Sequence, residues 1–285
     1  MIKFSIIIPV YNEEKAIKEV IADLKKHLAE QDYHYEIIVV NDGSTDQTKE
    51  ILQQISGIKT INHIENRGYG AALKSGIKQA KEKYILIVDG DGTYPIKAIS
   101  ELVAWADYDM VVGARINPRV KIPLIRKPPK WFLNQLANYL TGIKIPDLNS
   151  GLRLFKKNVF KGFIHLLPDG FSLTTTITLA LLTNNYRVKY LPIDYYKREG
   201  KSKIKPLQDT LNFLQLIIRT ILYFNPLKIF VPLSLILLLL GLAIFILSYL
   251  FTPKAMDLTT AVFIISSVQI LAIGMLADLI SKKKL

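Results

Sequence analysis

Phe4-Ser5-Ile6-Ile7-Ile8-Pro9-Val10-Tyr11-Asn12-Glu13 is a short apolar run that stops on polar residues. A run of this length, bounded by turn-forming residues, reads as a strand buried on both faces. The same form recurs downstream. Tyr35–Val40 ends in Asn41-Asp42-Gly43-Ser44, and Tyr84–Val88 ends in Asp89-Gly90-Asp91-Gly92. Ile58–Asn62 and Asp109–Val112 read as further strands. Between them, Glu13–Ala29 carries Ile17, Val20, Ile21, Leu24 and Leu28 at helical spacing. Thr45–Ile55 and Gly70–Lys83 are further helices, and Pro95 opens one that runs to Ala106. The alternation predicts an α/β domain with a mostly parallel sheet flanked by helices. Ligands of such sheets bind beyond the carboxyl ends of the strands. Tyr11, Asn12, Glu13, Asp42, Asp89, Asp91 and Arg115 all stand at those ends.

The chain has 285 residues, a net charge of +13 and no Cys. Zero Cys excludes a disulfide scaffold and a Cys-ligated zinc site, and 50% hydrophobic residues exclude a disordered chain. The charges are unevenly placed. Residues 229–285 hold only Lys254, Asp257, Asp278, Lys282, Lys283 and Lys284. Ile229–Phe251 has 17 Leu, Ile, Phe or Val in 23 positions, which favours membrane insertion by about 5–10 kcal/mol. As a helix it spans roughly 34 Å, enough for the hydrocarbon core. Leu258–Ala277 is a second uncharged run, more polar through Thr259, Thr260, Ser266, Ser267 and Gln269. The short connector predicts a hairpin. Arg219 and Lys228 before it, and Lys282–Lys284 after it, place the large domain and the C-terminus on the cytoplasmic side by the positive-inside rule. The N-terminal apolar run is broken by Pro9 and does not read as a signal peptide.

Asp89-Gly90-Asp91 is the sharpest motif. Two carboxylates two residues apart, just after a buried strand, can aim at one hard cation, Mg²⁺ or Mn²⁺. The plain alternative is an Asp-Gly turn. An EF-hand fails because Thr93 and Tyr94 stand where an acid or Asn and then Gly are needed. Asn66-Arg67-Gly68-Tyr69-Gly70 precedes a helix, but Leu73 replaces the third glycine of a dinucleotide fingerprint. It reads as a phosphate-facing helix start or a simple Gly-rich turn. Two basic stretches follow: Arg115–Lys130, and Lys197-Arg198-Glu199-Gly200-Lys201-Ser202-Lys203. They suit either an anionic leaflet or a phosphate socket. Nucleic acid is not the expected partner of a basic domain tethered to a bilayer. Asp147–Arg153 reads only as loop then strand. The four His show no metal-ligand spacing, and no Gly-x-Ser-x-Gly elbow is present. Ile204–Phe224 has the periodicity of an amphipathic interface helix or a packed one.

In order along the chain stand Ile7-Ile8-Pro9-Val10-Tyr11-Asn12-Glu13-Glu14, Val40-Asn41-Asp42-Gly43-Ser44-Thr45-Asp46, Asn66–Gly70, Asp89-Gly90-Asp91-Gly92-Thr93, Gly113-Ala114-Arg115, Asn149-Ser150-Gly151-Leu152-Arg153 and Arg198–Lys203. This ordered set resembles the family 2 glycosyltransferases of the GT-A fold, and more narrowly the polyprenyl-phosphate glycosyltransferases of the dolichol-phosphate mannose synthase type. The resemblance implies a Rossmann-like GT-A domain over 1–203; the periodicity and hydropathy above add an amphipathic juxtamembrane helix over 204–228 and transmembrane helices over 229–251 and 258–278. It implies that Pro9, Tyr11, Glu13 and Asp42 hold the nucleotide of a nucleotide-diphosphate sugar. Asp89, Gly90 and Asp91 would hold the donor diphosphate, with Asp89 and Asp91 on Mg²⁺ or Mn²⁺. Arg115, Lys130, Asn134, Arg198, Ser202 and Lys203 would hold the phosphate of a polyprenyl lipid, dolichyl or undecaprenyl. Asp89, Asp91, Arg115 and Arg198 are then the catalytic set.

Many family members place a carboxylate base ahead of a helix. The corresponding stretch here, Gly170–Thr176, has none. A phosphate acceptor is already an anion and needs no base, so the expected reaction is inverting hexosyl transfer to a lipid phosphate at the cell membrane. Transfer to a sugar hydroxyl or a glycerolipid is the enzymatic alternative, and a catalytically silent membrane scaffold is the alternative from another class. The sugar, the nucleotide and self-association are left open.

Overall fold

The computed structural model describes residues 2–116, 134–139, 141–170, 172–196, 206–251 and 258–282. The chain forms two compact units, Met1–Leu214 and Gln215–Leu285.

Among the described residues the first unit has seven strands: β1 (Lys3–Val10), β2 (His34–Asn41), β3 (Lys59–Asn62), β4 (Tyr84–Ile87), β5 (Met110–Ala114), β6 (Arg153–Lys156) and β7 (Val188–Pro192). Their order in the sheet is β3-β2-β1-β4-β6-β5-β7. Every pairing is parallel except those of β6, which runs antiparallel to both β4 and β5. The sheet is therefore mostly parallel, as expected. Its order reverses beside β1 and β4, which is where such sheets open a crevice for ligands.

Both faces of the sheet are covered, which explains the continuous apolar strands. Phe4, Ile6, Ile8 and Val10 alternate onto one face, with Leu86, Val88 and Val111. There they meet α1 (Ile17–Ala29) through Ile17, Ile21, Leu24 and Leu28 and α2 (Thr48–Gln53) through Leu52. Ile99, Leu102 and Val103 of α4 (Ala98–Ala104) complete that face. Ile7 and Val40 point the other way, toward α3 (Tyr69–Gln79), where a Cβ on Gly76 would come within 2.5 Å of Ile7 Cγ2. Each fully buried aliphatic side chain contributes about 1.5–3 kcal/mol. Two more helices, α5 (Lys157–Phe163) and α6 (Leu173–Thr183), follow β6.

α1, α2 and α4 begin later than the periodicity suggested, and α3 one residue earlier. α1 starts at Ile17 rather than Glu13, because Asn12 takes a left-handed conformation (φ 57°) and Glu13 spends its carbonyl on the N–H groups of Ala16 and Ile17 in a turn. Apolar spacing reports the buried face, not the cap.

α7 (Pro206–Phe224) lies within the expected juxtamembrane segment. The second unit contains α8 (Leu227–Phe251) and α9 (Leu258–Lys282), with mean hydropathies of 3.0 and 2.1. Both are long and apolar enough to cross a membrane. They pack antiparallel: Phe230 lies against Gly274, Ser234 against Ser267, and Gly241 against Phe263 and Ile264. The buried positions are small residues at intervals of seven, Ser234 and Gly241 on α8 and Thr260, Ser267, Gly274 and Ser281 on α9. A seven-residue seam is the mark of left-handed helix packing. The outward faces are apolar, including Leu235, Ile236, Leu239, Ile265, Val268 and Ile273.

Candidate active site

The carboxyl ends of β1 and β2 are laced together. Asn12 Oδ1 accepts the Thr45 N–H at 2.8 Å, and the Asn12 backbone N–H donates to Ser44 Oγ at 3.0 Å. Glu13 N–H donates to Thr48 Oγ1 at 3.0 Å. Tyr11 and Glu13 are half-buried beside this junction, and Pro9 is buried within β1 opposite Val40. Asp42, 3% exposed, faces the protein. Its Oδ1 accepts from Arg67 N–H (3.0 Å) and meets His63 Nδ1 (2.6 Å), and its Oδ2 accepts from Gly68 N–H (2.8 Å). His63 Nε2 pairs in turn with Ser75 Oγ at 2.9 Å. Asp42 thus anchors the Asn66–Gly70 turn, and most of its acceptor capacity is spent there.

Asp89 and Asp91 follow β4 on a turn that crosses the end of β1. A Cβ on Gly90 would come 2.6 Å from Val10 Cγ1, so the crossing needs glycine. Tyr69 at the start of α3 donates its hydroxyl to Asp89 Oδ1 at 2.9 Å. Burial, and then the Asp89 charge, push the Tyr69 phenol up, so it remains a donor. Thr93 donates its hydroxyl to Asp91 Oδ1 at 2.6 Å. The other Asp89 oxygen lies against Gly151, where any Cβ would overlap it. Asp89, Asp91, Tyr94 and Tyr196 line an open groove of about 580 Å³ together with Glu19, Asp23 and His27 of α1.

This donor set fits a hard divalent cation held by two carboxylates. Among the described residues no third Asp, Glu, His or Cys joins them. The remaining ligands would come from water and a diphosphate, the usual arrangement for Mg²⁺.

Arg115 follows β5. Its Nε and Nη2 donate to Asp147 Oδ2 (2.7 Å) and Oδ1 (2.9 Å), and its backbone N–H also donates to Oδ2 (3.1 Å). Burial alone would raise the Asp147 carboxyl, but these bonds outweigh it and hold it down at about 2. Burial would likewise lower Arg115, but the bonds to Asp147 hold it well above its usual range. The pair stays ionised at any working pH.

Asp147 heads a braced loop. Asn149 N–H donates to Asp147 Oδ1 (3.1 Å), Ser150 Oγ donates to Gly113 O, and Gly151 N–H donates to Tyr94 Oη (2.6 Å). Below it Arg153 is fully buried. It donates to the carbonyls of Ser150 (2.6 Å), Leu148 (2.8 Å) and Thr174 (3.1 Å), and to Thr178 Oγ1 (2.6 Å). Thr175 Oγ1 bonds Asn149 Oδ1. The start of α6 therefore sits at this loop and presents threonines.

Asp89, Asp91, Arg115, Tyr11 and Glu13 stand at the same edge of the sheet. Asn134 Nδ2 donates to the Ile145 carbonyl at 3.2 Å. Lys130, Arg198, Ser202 and Lys203 lie outside the described residues. Sequence reasoning missed Asp147, Tyr69, Tyr94, His63 and Arg153. The acid opening Asp147-Leu148-Asn149-Ser150-Gly151-Leu152-Arg153 was in view, but nothing local says that it pairs with an arginine 32 positions earlier.

Two family models match: "Glycosyl transferase family 2" over residues 5–163 and "GtrB C-terminal hairpin" over residues 225–282. A dodecaprenyl-phosphate galacturonate synthase of Rhizobium johnstonii is 26% identical, over 99% of this chain and 88% of that protein. A dolichyl-phosphate hexose transferase of Haloferax volcanii is 28% identical, over 71% of this chain and 86% of that one. A crystal structure of glucosyl-3-phosphoglycerate synthase from Mycobacterium tuberculosis with Mn²⁺, UDP and phosphoglyceric acid shares the fold. Its TM-score is 0.60 at 18% identity, over 77% of this chain and 78% of that one.

Proposed function

The chain belongs to glycosyl transferase family 2, and from that premise we propose that it transfers a sugar from a nucleotide-diphosphate sugar to the phosphate of a polyprenyl lipid at a membrane. The observation that carries this is the start of α6. It meets the Asp147–Arg153 segment, whose Asp147 holds Arg115, through Thr175 and Thr174, and Gly170–Thr176 offers no carboxylate to deprotonate a hydroxyl. An acceptor that is already an anion fits that site. The similarity to polyprenyl-phosphate transferases and the apolar hairpin point the same way.

In this reading Tyr11 and Glu13 border the nucleotide, while Asp42 acts through the Asn66–Gly70 turn. Asp89 and Asp91 hold Mg²⁺ or Mn²⁺, which neutralises the leaving diphosphate when bound. Tyr69 and Thr93 fix the two carboxylates. Arg115 grips the acceptor phosphate, whose oxygen attacks the anomeric carbon in line and inverts it. Two anions near 5 Å repel by roughly 3 kcal/mol at an effective dielectric near 20. Asp147 cancels the charge of Arg115, so Lys130, Arg198 and Lys203 supply the net positive charge. The positive-inside bias puts the catalytic domain, 1–203, on the cytoplasmic side.

The test uses full-length protein in lipid nanodiscs with a panel of nucleotide sugars. Release of nucleoside diphosphate should need both a divalent cation and polyprenyl phosphate. Asp91→Asn and Arg198→Ala should each lower the rate at least a hundredfold. Near wild-type rates in both would sink the site assignment, and transfer to a sugar hydroxyl instead would replace the acceptor.

A further inference from the structure

The Arg115 guanidinium is held on two sides. Asp147 occupies its Nε–Nη2 edge, and the Tyr195 ring lies under its plane with Cζ 5.2 Å from the ring centroid. A guanidinium has five N–H donors. Asp147 takes two; of the three that remain, one on Nη1 and one on Nη2 lie parallel and form a second fork, the geometry that grips a phosphate bidentately.

Both holders are themselves fixed. Asp147, 7% exposed, accepts three bonds from Arg115 and one from Asn149. Tyr195 meets Tyr94 edge-on at 5.3 Å, and the Tyr94 hydroxyl accepts the Gly151 N–H. The next residue, Tyr196, donates its N–H to Thr93 O at 2.9 Å, on the turn that carries Asp91. The contacts close a ring: Asp147, Arg115, Tyr195, Tyr94, Gly151, and back along the loop to Asp147. The Asp89 carboxylate rests on that ring at Gly151.

We propose that Asp147 and Tyr195 are positioning residues that aim the remaining Nη1–Nη2 fork of Arg115 at the acceptor phosphate, at a set offset from Asp89-Gly90-Asp91. The inference rests on the lipid-phosphate reading above. Since Asp147 cancels its charge, Arg115 contributes direction rather than net attraction. A guanidinium on a free side chain would offer either fork in many rotamers. Here the Nε–Nη2 edge and one face are occupied, so the Nη1–Nη2 edge is the two-donor edge left for a phosphate. Tyr195 acts through its ring, since the ring face attracts the cation.

The experiment compares Asp147→Asn, Tyr195→Leu and Tyr195→Phe with wild type, all full-length in nanodiscs. It measures binding of undecaprenyl phosphate and separate KM values for donor and acceptor. Asp147→Asn and Tyr195→Leu should each weaken lipid-phosphate binding and raise the acceptor KM about tenfold, with the donor KM moving less than about twofold. Tyr195→Phe should restore the acceptor KM to within about twofold, because the ring is kept. Parallel rises in both KM values, as a general loss of structure would give, overturn the proposal, as does a Tyr195→Phe defect equal to that of Tyr195→Leu. Variants that bind the lipid phosphate as wild type does overturn it while leaving the acceptor reading intact. A wild-type chain that takes up no lipid phosphate overturns both.

Discussion

Asp147 shows how one carboxylate can serve stability and the site together. Its folded pKa lies near 2, below the ordinary 3.8, because the bonds from Arg115 outweigh the cost of burial. A depressed carboxyl stabilises the fold above its unfolded pKa, and that stability is lost as pH falls through the folded value. The gap corresponds to roughly 2 kcal/mol. Thermal unfolding of the detergent-solubilised full chain should therefore show this loss between about pH 4 and pH 2. Asp147→Asn should already be less stable at pH 7 and should lose correspondingly less over that window. An unchanged acid profile in the variant would show that Asp147 is not the group responsible. Arg153 works by a different logic. Among the described residues it makes no ion pair with a carboxylate, and burial lowers its pKa. Its N–H groups instead satisfy three carbonyls and a hydroxyl, and each such group left bare inside the protein would cost about 1–3 kcal/mol.

Among the elements, β6 has the largest effect on the site. It enters the sheet antiparallel between β4 and β5. That insertion brings the Asp147–Gly151 loop, which leads into it, alongside the ends of β4 and β5, where Asp89 and Arg115 stand. A wholly parallel sheet would deliver the loop to the opposite edge. In the hairpin, the small residues at intervals of seven let α8 and α9 approach closely. Gly274 admits the Phe230 side chain, and the Ser234 and Ser267 hydroxyls meet at 3.2 Å. Because the chain has no Cys, this register can be tested cleanly. Ser234→Cys with Ser267→Cys should form an intramolecular disulfide under mild oxidation, read by thiol titration and gel shift. Adding Gly274→Val should reduce its yield several-fold, because the added side chain overlaps Phe230. Equal yields with and without Gly274→Val would refute the packing.

Across the whole molecule, charge and hydropathy are divided along the chain. Residues 1–228 carry +11 and the tail carries +2. Basic residues near an anionic leaflet contribute about 1 kcal/mol each, and salt screens that attraction. The apolar hairpin gives attachment that salt does not weaken. A chain ending at Asn225 should bind anionic vesicles at low salt and leave them by about 0.5 M NaCl in a flotation assay. The full chain should float with the vesicles at both concentrations. Salt-resistant binding of the shortened chain would assign membrane attachment to another part of the protein.

Composition and periodicity alone were enough for the strand–helix alternation, the polar strand ends, the Asp89-Gly90-Asp91 turn and the apolar hairpin. These features depend on which side chains leave water and on local turn chemistry, and both are written in consecutive residues. The antiparallel course of β6, the pairing of Arg115 with Asp147, the inward turn of Asp42 onto His63 and the Tyr94–Tyr195 support were not readable that way. Each depends on which strands become neighbours, and on contacts between residues tens of positions apart. A carboxylate beside a glycine looks the same in sequence whether it faces solvent, a metal or an arginine. Its neighbours in the folded chain decide which, because only they set its burial and its hydrogen-bond partners.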